Sequence, residues 1–213
     1  MRVLLATRSR HKVDEIREIF TDLDLPVELV GLTDLDIPVS PDEEELEPWD
    51  TFEENARSKA RYFRERTGLP TLSDDSGLVV DALDGRPGVR SKRFSPEAIG
   101  GEVTGQERDD ANNAHLLACL DGVPEAERTA RYVCVVALIG PDGQERTVRG
   151  EVEGRIGTEP SGQGGFGYDP LFHVPELQRT FADARPEEKH ALSHRGRAFR
   201  QILKELRRFT EVE

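Results

Sequence analysis

Cysteine, tryptophan and methionine are scarce in this sequence, which has 213 residues but only two Cys, one Trp and one Met. Cys119 and Cys134 lie in the apolar stretches HLLACL and YVCVVAL, without the spacing of a metal site or a disulfide framework. We therefore interpret both as reduced, buried thiols. The five His also lack zinc-ligand spacing, and no Ser-His-Asp order with a nucleophile elbow is present. Zinc catalysis and covalent hydrolysis are thus not expected.

Long apolar runs are also missing. The apolar part of the N-terminal segment MRVLLATRSRHK is too short for a signal peptide or a membrane span. We therefore predict a cytoplasmic protein without a membrane partner.

An excess of basic residues is absent too, since the formal net charge is −13. A general nucleic-acid partner is not expected, because phosphate neutralisation needs a basic surface. One small phosphorylated ligand is still compatible with this charge if a local cluster of Lys and Arg acts with a divalent cation. The apolar fraction of 36% indicates a folded chain, and the length favours one domain over residues 1–213.

Apolar periodicity predicts an α/β fold on a mixed sheet. Residues 2–6 are typical of a buried strand, and residues 26–32 of a second strand. A helix between them is predicted from Val13, Ile16 and Phe20, which share one face.

A second helix is predicted to begin at Thr51, where Glu54 completes a capping-box pattern, and to end at Gly68. Its apolar stripe consists of Phe52, Ala56, Ala60 and Phe63. The rest of the pattern predicts a strand interrupted by an acidic turn at 71–83, a helix at 106–120, a hairpin around the PDGQ turn, and a final helix at 193–209.

The segment ATRSRHK, residues 6–12, joins the first strand to the first helix. A helix N-terminus exposes unpaired N–H groups and a partial positive charge, which favours a phosphate. Ser9 is placed to cap the helix or contact phosphate, and Lys12 to neutralise it. The glycines and the GK[ST] ending of a Walker A loop are missing. The alternative is an ordinary capped helix with a solvated lysine.

The segment LSDDSG, residues 72–77, is a candidate for metal binding or general-base chemistry. Adjacent strand residues point to opposite faces, so Asp74 and Asp75 are not expected to act as one pair. One carboxylate would be a Mg²⁺ ligand or base, and the other would make structural hydrogen bonds. The alternative is an acidic turn.

The segment ELEPWDTFEENARSKA, residues 45–60, carries Asn55 and Lys59 on one helical face, beside the apolar stripe. Glu47 precedes the helix and is close enough in sequence to reach the same cleft. The alternative is a solvated helix face.

The segment SGQGGFGYDP, residues 161–170, is rich in glycine, which allows close backbone approach and positive φ. Phe166 and Tyr168 would offer a ring to a nucleobase, and Asp169 an acceptor. The alternative is a flexible hairpin loop.

The segment EEKHALSHRGRA, residues 187–198, supplies three donors, Lys189, His194 and Arg195, near the start of the final helix. The alternative is a charged helix entry.

The order and spacing of these segments resemble one family. From residue 2 to about residue 208, the chain resembles the inosine triphosphate pyrophosphatases, also called dITP/XTP pyrophosphatases. SDDSGL, GGFGYDP and SHRG in this order are highly specific together.

The resemblance implies an elongated two-lobed α/β fold on a central mixed, twisted sheet with flanking helices, an active-site cleft between the lobes, and a homodimer. It implies Mg²⁺-dependent hydrolysis of ITP, dITP and XTP to the monophosphate and pyrophosphate. The triphosphate would be held by Thr7, Arg8, Ser9, Arg10, His11, Lys12 and Lys59. Glu47 and Asp75 would bind the metal, and Asp75 would also accept the proton of water. The nucleotide would be contacted by Ser76, Phe166, Gly167, Tyr168, Asp169, Lys189, His194 and Arg195.

Two segments depart from the family pattern. The usual T-G-N-x-x-K loop has Arg8 and Ser9 in place of Gly-Asn, and the usual E-T-G is Glu47-Pro48-Trp49. Ser9 is shorter than Asn, so its phosphate contact would pass through water.

Fixed donors such as His194 and Arg195 would favour the 6-oxygen of hypoxanthine or xanthine over the 6-amino group of adenine. Two other functions stay open from the sequence. One is a pyrophosphatase for modified pyrimidine triphosphates, and the other is a non-catalytic nucleotide-binding sensor.

Overall fold

The computed structural model describes residues 1–21, 27–101 and 103–210. The chain divides into two compact units. Unit 1 consists of Met1–Asp75, Cys134–Gly150 and the chain from His194 onward. Unit 2 consists of Ser76–Val133 and Glu151–Ser193.

The strands are β1 (Arg2–Leu5), β2 (Glu28–Gly31), β3 (Thr71–Val80), β4 (Thr129–Ile139), β5 (Glu145–Ile156), β6 (Phe172–Val174) and β7 (Arg179–Thr180). Within the described residues they form one sheet in the order β2-β1-β3-β4-β5-β6-β7. Strand β1 pairs in parallel with β2 and β3, whereas β6 pairs antiparallel with β5 and β7. The predicted α/β fold on a mixed sheet is confirmed.

The helices are α1 (Arg10–Thr21), α2 (Phe52–Thr67), α3 (Pro96–Gly100), α4 (Gly105–Cys119), α5 (Pro186–Leu192) and α6 (His194–Thr210). In the part of the chain that the structure describes, none of them is long and apolar enough to cross a membrane.

Strand β1 is buried from Val3 to Leu5, as its apolar run predicts. A strand with parallel neighbours on both sides is covered on both faces, so continuous apolar residues suit it better than alternating ones. Strand β2 is shorter than the predicted 26–32, and residue 26 lies outside the described residues.

Helices α1 and α6 build the core of unit 1. Ile16, Ile19 and Phe20 of α1 pack in one cluster with Phe199 and Ile202 of α6. Each fully buried side chain of this size contributes about 1.5–3 kcal/mol to the stability of the fold. The predicted final helix is confirmed, with its first residue one position later, because the preceding serine ends α5.

Helix α2 begins and ends where the sequence predicts. The Thr51 hydroxyl accepts the Glu54 N–H at 3.2 Å, and Gly68 ends the helix with a left-handed φ of 69°. The reciprocal half of the predicted capping box differs, because the Glu54 carboxylate accepts the Thr51 hydroxyl. The predicted apolar stripe is buried along its whole length.

Strand β3 corrects the predicted acidic turn. It is continuous over ten residues and runs through Asp74 and Asp75 without a break. Cations and amide donors from distant parts of unit 1 contact both carboxylates, so the chain does not need to turn them toward solvent.

Unit 2 has its own apolar core. The ring centroids of Tyr132 and Phe172 lie 4.6 Å apart, and Phe172 stacks on Phe181 at 5.5 Å.

The predicted hairpin is confirmed, since β4 and β5 are neighbours joined by a short turn at residues 140–144.

The two cysteines are free, but only Cys134 is fully buried. Cys119 is half-buried at the end of α4, where its sulfur lies 3.6 Å from the His115 ring, so the expected burial of this thiol is wrong. Burial and the nearby Asp74 raise the pKa of the Cys134 thiol, which stays protonated.

Strand β5 and the start of α6 approach each other closely at Gly150. A Cβ added there would lie 2.5 Å from the backbone nitrogen of Ala198 and closer still to the carbonyl oxygen of His194. Any side chain at this position would push α6 away from the sheet.

Candidate active site

Four side chains of alternating charge lie together in unit 1 on elements α1, β3 and α6; three of them are buried, and Lys12 is half-buried. Lys12 Nζ lies 2.9 Å from Asp74 Oδ2, and Arg195 Nε lies 3.5 Å from the same oxygen. Arg195 also donates to Glu15 Oε2 at 2.6 Å. We call Lys12, Glu15, Asp74 and Arg195 the buried charge cluster.

The cluster keeps Asp74 ionised. Burial by itself would raise the pKa of this carboxyl, but Lys12, Arg195 and Lys59 lower it well below its ordinary value. An ionised carboxylate in this position orients the cations around it.

Asp75 has a different environment on the opposite face of β3. It is 7% exposed, and its Oδ2 accepts a hydrogen bond from Asn55 Nδ2 at 3.1 Å. Burial raises the pKa of Asp75, and the negative charge of Glu47 raises it further, while Lys59 and Lys12 oppose the rise. The two neighbouring carboxyls therefore have opposite pKa shifts, a pattern typical of catalytic sites.

Lys59 of α2 connects Glu47 with β3. Its ammonium group pairs with the Glu47 carboxylate and donates to the backbone carbonyl of Asp74 at 2.6 Å. Burial would lower the pKa of Lys59, but Glu47, Asp75 and Asp74 together raise it, so the side chain stays charged.

The acidic residues of this region fit a hard divalent cation. No group of three or more His, Cys, Asp or Glu converges as a metal cage in residues 1–21, 27–101 and 103–210. The negative charge of Glu47, however, raises the pKa of Asp75, as expected for two carboxyls that share one region. Mg²⁺ relieves repulsion between like charges, and it needs only one or two carboxylates when substrate phosphates supply further ligands.

The loop before α1 is ordered by local hydrogen bonds. The Thr7 hydroxyl accepts the Ser9 N–H at 3.2 Å, and the Ser9 carbonyl accepts the Val13 N–H in the first turn of α1. Arg10 and His11, which begin the helix, are exposed. The loop therefore presents a helix N-terminus with Lys12 in its first turn.

Arg8 is engaged elsewhere, in a way the sequence did not indicate. Its guanidinium donates to both carboxylate oxygens of Glu43, at 2.9 and 2.7 Å, and to the carbonyls of Ile37 and Pro38. These four bonds attach the guanidinium to the acidic segment, and a phosphate contact of Arg8 stays a prediction.

In unit 2, the glycine-rich loop is organised around Asp169. Its Oδ2 accepts the Phe166 N–H at 2.8 Å and the Lys189 ammonium at 2.6 Å. Lys189 Nζ also lies 4.7 Å from the centroid of the Phe166 ring. Gly165, at a φ of 72°, leaves room for the carboxylate, since a Cβ there would overlap it.

Helix α4 supports the same loop from a second side. Asp109 accepts the Gly167 N–H at 2.8 Å, and Asn113 donates to the Gly167 carbonyl at 2.9 Å. Gly167 itself has a φ of 62°. Side chains of α4 and the Asp169 carboxylate thus bind the backbone of the loop.

Comparison with known proteins identifies the chain. The sequence model of the Ham1 family matches residues 3–205. The chain belongs to the Ham1 family. A dITP/XTP pyrophosphatase of Frankia alni is 51% identical over 207 residues, covering 97% of this chain and 98% of that protein.

Solved Ham1 structures have the same fold. A HAM1 protein from Coxiella burnetii has a TM-score of 0.82 at 36% identity and covers 98% of this chain and 99% of its own. A nucleoside-triphosphatase / dITP/XTP pyrophosphatase from Mycobacterium abscessus has a TM-score of 0.71 at 43% identity, with coverages of 95% and 99%. The resemblance predicted from the motifs is confirmed.

The Ham1 motifs contribute to two sets of contacts. Lys12, Glu47, Lys59 and Asp75 belong to unit 1, together with the residues of the 7–12 loop. Ser76, Lys189 and the 166–169 segment belong to unit 2. His194 and Arg195 were predicted to act with the 166–169 segment, but they begin α6 in unit 1, and Arg195 pairs with two carboxylates there.

Tyr168 corrects another prediction for this Ham1 chain. Its ring is 3% exposed, and its hydroxyl donates to the Ser91 carbonyl at 2.8 Å. A ring buried in this way cannot stack on a base. Phe166 is partly exposed and is therefore the better candidate for stacking.

Sequence reasoning missed three polar residues. Glu15 lies within the apolar stripe of α1, which was a signal that its charge has a buried partner. Asp109 and Asn113 are four residues apart on α4, the spacing that places two side chains on one helical face.

Proposed function

We propose that the whole chain, residues 1–213, acts as one enzyme domain that hydrolyses ITP, dITP and XTP to the nucleoside monophosphate and pyrophosphate. The observation that carries the proposal is Asp75, a buried carboxyl with a raised pKa beside Lys59 and Glu47. The relatives named dITP/XTP pyrophosphatase indicate the substrate class.

Asp75 would orient the attacking water and accept its proton. A general base is most effective when its pKa approaches the working pH, and burial moves the pKa of Asp75 in that direction. Asn55 holds Oδ2 of the carboxylate by a hydrogen bond. The orientation of the base is therefore set before substrate binds.

Lys12 and Lys59 would offset the charge of the triphosphate, with the backbone of the 7–12 loop as a further donor set. Both ammonium groups are held by β3, one by the Asp74 carboxylate and one by the Asp74 carbonyl. Preorganised cations of this kind stabilise charge that develops in the transition state.

Mg²⁺ would be held by Glu47 and Asp75, where it would neutralise phosphate charge and polarise the scissile anhydride. Lys59 pairs with Glu47 and keeps that carboxylate at the start of α2.

Unit 2 would contact the base. Phe166 offers a partly exposed ring, and Lys189 is a buried donor fixed by Asp169. A fixed donor suits the 6-oxygen of hypoxanthine or xanthine and would face the 6-amino group of adenine without a hydrogen bond. Sites built on such bonds discriminate by about 10⁴-fold.

The test is pyrophosphate release from ITP, XTP, dUTP and ATP, each with and without Mg²⁺. We expect rapid, Mg²⁺-dependent release from ITP and XTP and slow release from ATP and dUTP. Equal rates on ITP and ATP would contradict the proposed substrate class. Preferred turnover of dUTP would favour the pyrimidine enzyme, and tight binding without turnover would favour a sensor.

The homodimer and the cytoplasmic location stay predictions. The homodimer follows from the resemblance, and the cytoplasmic location follows from the sequence. Light scattering on the purified chain, together with fractionation of the source cells, would test them.

A further inference from the structure

Asn55 is a buried amide at a junction of three parts of unit 1. It is 1% exposed on the first turn of α2, one turn before Lys59. An amide so deeply buried needs partners for its donors and its acceptor.

Among the described residues, the side-chain amide of Asn55 makes three hydrogen bonds, which go to two segments. Its Oδ1 accepts the Trp49 N–H at 3.0 Å, and its Nδ2 donates to the Trp49 carbonyl at 3.1 Å. The second hydrogen of Nδ2 is donated to Asp75 Oδ2 at 3.1 Å.

Lys59 repeats this connection one turn later. It contacts Glu47 on one side and the Asp74 carbonyl on the other. Asn55 and Lys59 thus form two parallel links between the Glu47-Pro48-Trp49 turn and residues 74–75 of β3. In this chain the turn departs from the usual E-T-G of the family, and Asn55 holds its backbone by both the N–H and the carbonyl.

We propose that Asn55 is a positioning residue that fixes the turn carrying Glu47 and the Asp75 carboxylate relative to each other. The inference rests on the proposed function, in which Glu47 and Asp75 act together. Asn55 binds the Trp49 backbone on one side and the Asp75 carboxylate on the other, so it connects the turn to that carboxylate directly.

Only an amide of this length satisfies the geometry. The group must accept one hydrogen bond and donate two, and a neutral carboxamide does both. Aspartate would replace the Nδ2 donor with an oxygen, which would face the Trp49 carbonyl and the Asp75 carboxylate without a hydrogen bond. Alanine would remove all three hydrogen bonds.

The variants are Asn55→Ala and Asn55→Asp, with Ser73→Ala as the matched control. Ser73 also links β3 to α2, through a hydrogen bond of 2.7 Å to the Ala56 carbonyl, and it is fully buried. Ser73→Ala therefore removes a buried bond between the same two elements without touching a carboxylate.

Steady-state kinetics with ITP and Mg²⁺ give the first readout. We expect kcat of Asn55→Ala to fall by about 10- to 100-fold, with KM changed less than about threefold, because misplaced groups slow the chemical step. Asn55→Asp should fall further. Ser73→Ala should keep kcat within about threefold of wild type. A kcat for Asn55→Ala equal to that of Ser73→Ala would overturn the proposal.

Hydrogen exchange without nucleotide or metal gives a readout that needs no activity. The Trp49 amide should exchange about tenfold faster or more in Asn55→Ala and at the wild-type rate in Ser73→Ala. Unchanged protection in Asn55→Ala would overturn the inference, even if wild-type protein proved inactive on ITP and the proposed function failed. If Asn55→Ala does not fold, Asn55→Ser takes its place in both measurements.

Discussion

The buried charge cluster of unit 1 and the Lys189–Asp169 pair of unit 2 both hold a carboxylate against a cation, but they do so in different structural settings. The cluster links two helices and a strand, so regular elements on three sides fix its geometry. The pair lies at a glycine-rich loop, where the carboxylate also binds a backbone N–H. Charged side chains thus hold regular elements together in unit 1 and shape a loop in unit 2.

Asp75→Asn should remove the proposed proton acceptor of unit 1 and leave the fold intact. We expect kcat on ITP to fall by about 100-fold or more, because the proton acceptor is lost. Stability should not fall, since burial raises the pKa of Asp75 and a neutral side chain suits the site. Pyrophosphate release and thermal unfolding without Mg²⁺ measure the two effects. Near-wild-type turnover would show that another group is the base.

Asp74→Asn breaks the buried charge cluster. It leaves Lys12 and Arg195 without their shared carboxylate, and removing one partner of a buried ion pair costs about 3–5 kcal/mol. Urea unfolding at pH 7 measures the change in the free energy of unfolding. A loss below about 1 kcal/mol would mean that the cluster does not stabilise unit 1.

The pH dependence of this loss of unfolding free energy tests whether it comes from the charge of Asp74. Burial opposes the shift, but Lys12 and Arg195 lower the folded pKa of Asp74, so the carboxyl stabilises the fold above its unfolded pKa. The stability gap between wild type and Asp74→Asn should be full at pH 7 and should narrow below about pH 4. A gap that stays constant down to pH 3 would contradict the assignment.

Lys189→Met breaks the unit 2 pair. Asp169 keeps the Phe166 N–H, so we expect a smaller loss of stability than for Asp74→Asn, about 1–3 kcal/mol. The ratio of kcat/KM for ITP over ATP should fall by about tenfold or more, because a base-reading donor is lost. An unchanged ratio would remove Lys189 from base selection.

Arg8→Ala tests an exposed charge as a reference for the buried ones. Arg8 is exposed and its partner Glu43 is half-buried, so the loss of stability should be smaller than for Asp74→Asn, about 1 kcal/mol. Segment 37–45, to which the Arg8 guanidinium is bonded, should become more sensitive to limited proteolysis. Glu43→Gln is the matched partner variant. A fall in stability equal to that of Asp74→Asn would erase the distinction between exposed and buried charges.

Elements with strong periodicity were predictable from the sequence. The stripe of α2 and the apolar face of α6 follow directly from the helical repeat, and Thr51 and Gly68 mark the ends of α2. Local sequence decides these features, because the apolar repeat and the capping residues lie within each helix, even though the buried faces pack against distant segments.

Features that depend on distant partners were not predictable. Strand β3 continues through two carboxylates because Lys12 and Arg195, far away in the chain, contact one of them. Arg8 binds a carboxylate 35 positions later, which no local pattern indicates. The candidate site residues were predicted by motif, whereas their pairing could be seen only in three dimensions.

The position of the charge cluster also depends on Gly150, a residue without any charge. The helix that carries Arg195 rests against the backbone of β5 only because position 150 has no side chain. A single added methyl group would displace the helix and separate Arg195 from its partners on two other elements. In a mutational scan, we expect this position to tolerate no replacement. If this glycine were replaced during evolution, β5 would have to shift away from α6 before the cluster could form again.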